Sequence, residues 1–185
     1  MRNFVYLPVR CLATTATFLL LFPIALLAQT LFAPAVKYIV GHGPHNAFVA
    51  DLNGDGYPDV VTANILTPSD TGSVSFLMNK GNGTFADEVR YTGFNSPSGV
   101  FAADVDSNGV KDLIVASHNG GYVSVLRNDG HGNFGNRVDY LAPPGSATHS
   151  AIAADLDGDG YPELISANRR QTTDDTPSIS IWKNN

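Results

Sequence analysis

Cysteine is nearly missing from this sequence: the 185 residues contain one, Cys11, and it lies in an N-terminal apolar run. The rest of the chain therefore has no disulfide framework and no cysteine-based metal site. Basic residues are also scarce, with 11 Lys and Arg against 17 Asp and Glu. Nucleic acid and anionic lipid need basic patches, so that balance gives no general case for either partner. No segment after residue 28 has convincing helical periodicity. Catalytic signatures are absent as well: there is no Gly-x-Ser-x-Gly elbow, no His-Glu-x-x-His and no phosphate-binding glycine loop. Ser, His and Asp occur at no recognisable spacing, and the chain reads as non-enzymatic.

Residues 1–28 form a unit of their own. Arg2 and Arg10 flank a short start, and "CLATTATFLLLFPIALLA" then runs uncharged to Ala28. A positive n-region, an apolar h-region and an alanine-terminated cleavage region make a secretory signal. The run approaches the length of a membrane span, but Pro23 and the polar Thr14, Thr15 and Thr17 weaken one. Cleavage and export to an extracellular or periplasmic space are the expectation, and an uncleaved anchor is the alternative. Leu26 at the −3 position is larger than ideal for cleavage after Ala28. Removing the segment takes away two arginines and no acid, leaving 9 basic and 17 acidic residues, a net charge of −8.

What remains is written three times. The acidic stretches begin at Asp51, Asp104 and Asp155, at spacings of 53 and 51 residues. Upstream stand "FAPAVKY", "FADEVRY" and "FGNRVDY"; directly before each acidic stretch stand "AFVA", "VFAA" and "AIAA". "VVTAN", "LIVAS" and "LISAN" follow, and later "SVSFLMN", "YVSVLRN" and "SISIWKN". Each piece is short, β-branched or aromatic, and bounded by Gly, Pro, Asn or Asp, which is strand chemistry. "SVSFLMN" alternates, with Val74, Phe76 and Met78 on one face and Ser73, Ser75 and Leu77 on the other. "VVTAN" and "LIVAS" are more continuously apolar, as strands buried on both faces would be. "NKGNGT" and "NDGHGN" are tight turns. Four strands per unit of about 50 residues is the period of a β-propeller blade. The expected fold is all-β, with a signal at 1–28 and blades at 29–84, 85–133 and 134–185.

The acidic loops carry the chemistry. In "DLNGDGYPD", positions 1, 3, 5 and 9 are Asp51, Asn53, Asp55 and Asp59, with Gly56 at position 6. The second copy supplies Asp104, Asp106, Asn108 and Asp112, and the third Asp155, Asp157, Asp159 and Glu163. Alternating oxygen side chains on a tightly curled loop converge on one point. The backbone carbonyl at position 7 (Tyr57, Val110, Tyr161) would turn inward. Such an all-oxygen cage of about 6–8 ligands suits Ca²⁺, whereas Zn²⁺ would want His or Cys. Three carboxylates within about 4–5 Å repel by a few kcal/mol at an effective dielectric near 20. A divalent cation is the simplest remedy, giving up to three Ca²⁺ ions. A helix-flanked EF-hand is excluded, because position 12 is Thr62, Val115 or Ser166 and the flanks are strand-like.

Over about residues 30–185 the sequence resembles the FG-GAP and VCBS-type repeats, the calcium-loop blades also found in integrin α-subunits. The motifs are "DLNGDGYPDVVTAN", "DVDSNGVKDLIVAS" and "DLDGDGYPELISAN", with "GNGTF" and "GHGNF". That resemblance implies a propeller whose loops join two strands of one blade and hold Ca²⁺ through positions 1, 3, 5 and 9. Glu163 departs from the family's Asp at position 9. The Phe-Gly pair survives fully only at Phe134-Gly135.

Three blades are fewer than the 4–8 that close a ring. The open readings are a partial product of a longer propeller, chains that associate to finish the ring, or an open arc. His42 and His45 lie in a Gly/Pro loop, and His118, His131 and His149 each stand alone in turn-like contexts. Tyr38, Tyr91, Tyr140 and Trp182 recur with the strand pattern and read as packing, while Tyr57 and Tyr161 sit in the loops. Asp174 and Asp175 fall in an unmatched insertion. The expected function is an exported binding or adhesion module for an extracellular protein or glycan. The alternative is the propeller portion of a secreted polysaccharide lyase or hydrolase.

Overall fold

The computed structural model describes residues 32–65, 72–170 and 177–184. The signal expected at 1–28, Asp174 and Asp175, and residues 66–71 lie outside them. The chain divides into units Met1–Lys37 and Tyr38–Asn185, and every described strand lies in the second. No helix is long and apolar enough to cross a membrane among the described residues.

Eleven strands build three antiparallel sheets. The first sheet runs β1 (Pro44–Ala50), β2 (Asp59–Asn64), β3 (Gly72–Leu77) and β4 (Val89–Phe94). The second runs β5 (Pro97–Ala103), β6 (Asp112–Ser117), β7 (Tyr122–Asn128) and β8 (Phe134–Leu141). The third has β9 (Ser146–Ala154), β10 (Glu163–Arg170) and β11 (Ser178–Trp182). No sheet closes on itself, so the fold is all-β blades in an open or incomplete propeller.

Blade phase differs from the sequence repeat by one strand. The Phe-x-x-x-Val-x-Tyr segment ends a sheet as β4 and β8 rather than opening one, so sheets begin at Pro44, Pro97 and Ser146. Its first copy, from Phe32 to Tyr38, is not a strand. In the other copies this segment pairs on a preceding third strand, and no described strand precedes Phe32. The third sheet accordingly shows three strands where four were expected.

Packing follows from the composition of β6. Leu113 and Val115 point to one side and join Val61, Ala63, Val74 and Phe76 of the first sheet in one core. Ile114 and Ala116 point to the other side and join Ala151 and Leu164 of the third sheet in a second core. All four β6 side chains are fully buried, which is why the segment reads as continuously apolar. The alternation in β3 sorts chemistry and not exposure. Ser73 and Ser75 are buried as deeply as Val74 and Phe76, and they accept hydrogen bonds from Asn64 Nδ2 at 3.2 and 2.7 Å. Blade three repeats the device with Asn168 donating to Ser180 Oγ at 2.7 Å. Aromatics pack between blades: Phe76 stacks on Phe134 at 4.7 Å, with Tyr91 edge-on to both. Trp182 and Tyr140 pack against the second core.

Candidate metal centre

Each acidic loop joins the first and second strand of its sheet, and its ninth residue is the first of the second strand. The register repeats, pairing Ala50 with Asp59, Ala103 with Asp112 and Ala154 with Glu163. Position 6 requires glycine, since Gly56, Gly109 and Gly160 have φ of 85°, 86° and 89°. Position 4 is left-handed as well, and Ser107 adopts φ 58° where the other loops have glycine.

Position 1 organises the curl. Asp51 accepts N–H bonds from Gly54 and Gly56 at 2.8 and 2.9 Å. Asp155 does the same with Gly158 and Gly160 at 2.7 and 3.0 Å. Asp104 accepts from Asn108 and Gly109 at 3.1 and 2.7 Å. Position 9 ties the loop to the sheet. Asp59, wholly buried, accepts from Leu52 N–H at 3.0 Å and Asn79 N–H at 2.8 Å. Asp112, equally buried, accepts from Val105 N–H at 3.3 Å and Asn128 N–H at 2.9 Å. Burial raises both carboxyls above the ordinary range against these N–H donors, and the neighbouring loop acids raise them further. Glu163 keeps only half of the pattern. Its Oε2 accepts from Leu156 N–H at 2.8 Å, and its buried Oε1 has no partner.

The structure brings two carboxylate triads together. Oxygens of Asp104, Asp106 and Asp112, and of Asp155, Asp157 and Asp159, lie within 4.8 Å of one another. These are the only such groups of acids or histidines among the described residues. In the first loop Asn53 takes position 3 and donates to Asp55 Oδ2 at 3.0 Å. Tyr57 and Tyr161 are about half-exposed, and their N–H groups bond to Asp55 and Asp159 at 2.8 Å. The donor set fits a hard cation. It is all oxygen, its ninth residue is a buried acid in every loop, and in the third loop it leaves a buried oxygen orphaned.

Several participants were not singled out from the sequence. The residue ending the third-strand motif links the loops into a row. Asn128 Nδ2 donates to Leu52 O of the preceding loop at 2.7 Å and to Lys111 O of its own at 2.9 Å. Asn184 Nδ2 donates likewise to Val105 O at 2.8 Å and Pro162 O at 3.2 Å. The preceding residue brings a cation in two repeats: Arg127 pairs with Asp106 at 2.5 Å, and Lys183 with Asp157 at 2.9 Å. The Lys183 pair holds Asp157 below the ordinary carboxylate range. Alignment of the three repeats shows Met78, Arg127 and Lys183 in register, and that was the available signal.

Three of the five histidines are also not solitary. His149 lies edge-on to His45 at 5.7 Å and to His118 at 5.9 Å between ring centroids. His45, Ser98 and His149 each stand six residues before a loop's first aspartate, and His45 Nδ1 bonds to Ser98 O at 2.9 Å. Three repeats thus bring together imidazoles near the starts of β1 and β9 and just past the end of β6, although the imidazole nitrogens do not gather closely enough to form a further metal-ligating group among the described residues.

Among solved structures, the chain is similar to part of the Photorhabdus luminescens Tc holotoxin pore, with TM-score 0.48 and 23% identity. That match covers 77% of this chain and 6% of the toxin chain. It is also similar to an Agrocybe aegerita lectin that recognises non-reducing terminal N-acetylglucosamine, with TM-score 0.42 and 21% identity over 75% of this chain and 38% of that one. This chain spans well under half of either, and neither likeness is close enough to bear on function. No curated protein matches. The FG-GAP-like repeat model matches twice, at residues 51–115 and 104–166, which together span more than half of the sequence and contain all three acidic loops. The repeated strand–loop–strand units and this match place the chain in the FG-GAP-like repeat family.

Proposed function

We propose that this chain is an exported, non-enzymatic binding module whose blades are stiffened by Ca²⁺ held in the acidic loops. One observation carries the reading: the same oxygen-rich loop occupies the same joint of every sheet, with its ninth residue buried against the strand. Asp51, Asn53, Asp55 and Asp59 would hold the ion in the first loop, and Asp155, Asp157, Asp159 and Glu163 in the third. The backbone carbonyls of Tyr57 and Tyr161 would complete them, and the matching oxygens of the middle loop are those of Asp104, Asp106, Asn108, Asp112 and the Val110 carbonyl. A bound divalent cation supplies charge neutralisation and cross-links the loop to the second strand. Stabilisation follows by mass action, because the unfolded loop does not preorganise its oxygens.

The partner is an extracellular protein or glycan, and the open terminal blades also suit self-association to complete a propeller. A glycan array run beside a polysaccharide-cleavage screen tests the binding reading against the enzymatic one. Calcium-dependent retention without cleavage is the expected result. Chain cleavage that survives purification to homogeneity would move the assignment to a carbohydrate-active enzyme.

A further inference from the structure

The three loops are not electrically equivalent, and the difference follows one rule. Where position 3 is an acid, the residue before the third-strand asparagine is basic: Asp106 with Arg127, Asp157 with Lys183. Where position 3 is the neutral Asn53, that residue is Met78. The two basic residues act differently. Lys183 pairs with Asp157 and is 63% exposed. The Arg127 guanidinium reaches further in: one nitrogen, Nη1, lies 2.5 Å from Asp106 Oδ2 and 3.3 Å from the buried Asp112 Oδ2. It therefore bridges positions 3 and 9, two of the four side chains that would hold an ion in that loop. Position 5 there is the uncharged Asn108. The first loop has three carboxylates and no basic residue at this position; the third has four carboxylates and one lysine; the middle loop has three and an inserted arginine.

Resting on the calcium reading above, we propose that Arg127 is the resident cation of the middle loop, so that this chain takes up two Ca²⁺ ions and not three. A charge-assisted bridge of this kind offsets one of the loop's three negative charges and fixes the loop to its strand without metal. A divalent ion entering the same space would have to expel the guanidinium and tolerate a positive charge beside it. Two neighbouring contacts hold the loop independently of an ion: Ser107 Oγ donates to Gly160 O at 3.1 Å, and Asn184 Nδ2 donates to Val105 O at 2.8 Å. The middle blade, packed on both sides, thus keeps its loop ordered whether or not calcium is present.

Calcium titration by calorimetry on metal-stripped full chain tests the proposal. The expected stoichiometry is two for wild type, three for Arg127→Met, which installs the residue of the first repeat, and two for Lys183→Met. A reciprocal graft guards against a variant that does not fold. Asn53→Asp combined with Met78→Arg should copy the bridge into the first loop and lower the count to one. Three ions in wild type would overturn the proposal while leaving the calcium reading intact. No ions in wild type or in Arg127→Met would overturn both.

Discussion

Asp59 shows how much one carboxylate does in this fold. It is wholly buried, yet both of its oxygens accept backbone N–H bonds, one from its own loop and one from the end of the third-strand motif. Asp59→Ala strands one buried and one part-buried donor and should cost about 2–4 kcal/mol in urea unfolding. The third repeat offers the opposite experiment. Glu163 carries one methylene more than Asp59 or Asp112, and its Oε1 is left without a partner. Glu163→Asp restores the geometry of the other two loops and should stabilise the metal-free protein by roughly 1 kcal/mol. A loss of stability on that change would show that the longer arm is accommodated. The oxygen pattern of the loops was legible in the sequence, because spacing and glycine placement alone impose the curl. The N–H bonds to Asn79 and Asn128 were not, because their partners lie 20 and 16 residues away.

At the scale of the strand, chemistry and burial separate. β6 presents an apolar residue to each neighbouring sheet, so Leu113→Ala and Ile114→Ala should both cost about 2–5 kcal/mol. Ile181 of β11 is 52% exposed, and Ile181→Ala should cost less than about 1 kcal/mol. Chemical denaturation of the three variants checks the contrast. The first sheet adds a polar case, where Ser75 Oγ bonds to Glu88 and Arg90 grips the same carboxylate at 2.7 and 3.0 Å. Those bonds, the Arg90 contact first, hold the Glu88 carboxyl below its ordinary value of 4.5. A depressed acid stabilises the fold above its unfolded value, and that contribution is lost as pH falls through the folded one. Glu88→Gln should therefore lower the melting temperature at neutral pH, and the gap to wild type should close in acid. An unchanged gap would place the contribution in packing. Strand identity was legible from β-branched runs and turn residues. Blade phase was not, since a repeat has no intrinsic first strand and hydrogen bonding alone shows that Val89–Phe94 ends its sheet.

Across the whole molecule the sheets stack by one rule. The row Phe101, Ile114 and Val125 of the second sheet is covered by the third. The corresponding row of the third sheet is Ile152, Ile165 and Ile181, in which Ile152 is 45% and Ile181 52% exposed. Ile179 beside it is 66% exposed. That face has the composition of an interface between blades, so the isolated chain should associate as concentration rises. Ile181→Lys should keep it monomeric in sedimentation velocity. A wild type monomeric at every concentration would contradict self-association. The number of blades was legible from the repeats. The meeting of His45, His118 and His149 and the reach of Arg127 were not, because these residues converge only once separate repeats are packed.

Thermal unfolding of metal-stripped protein with and without added Ca²⁺, repeated on a variant carrying Asp51→Asn and Asp155→Asn, tests the central claim most directly. At a hundredfold excess over the dissociation constant, each site adds about 2.7 kcal/mol. For a chain of this size that is a rise of roughly 5–10 °C per site in wild type. The variant should lose most of that rise. Equal melting temperatures for wild type with chelator and with Ca²⁺ would contradict the account.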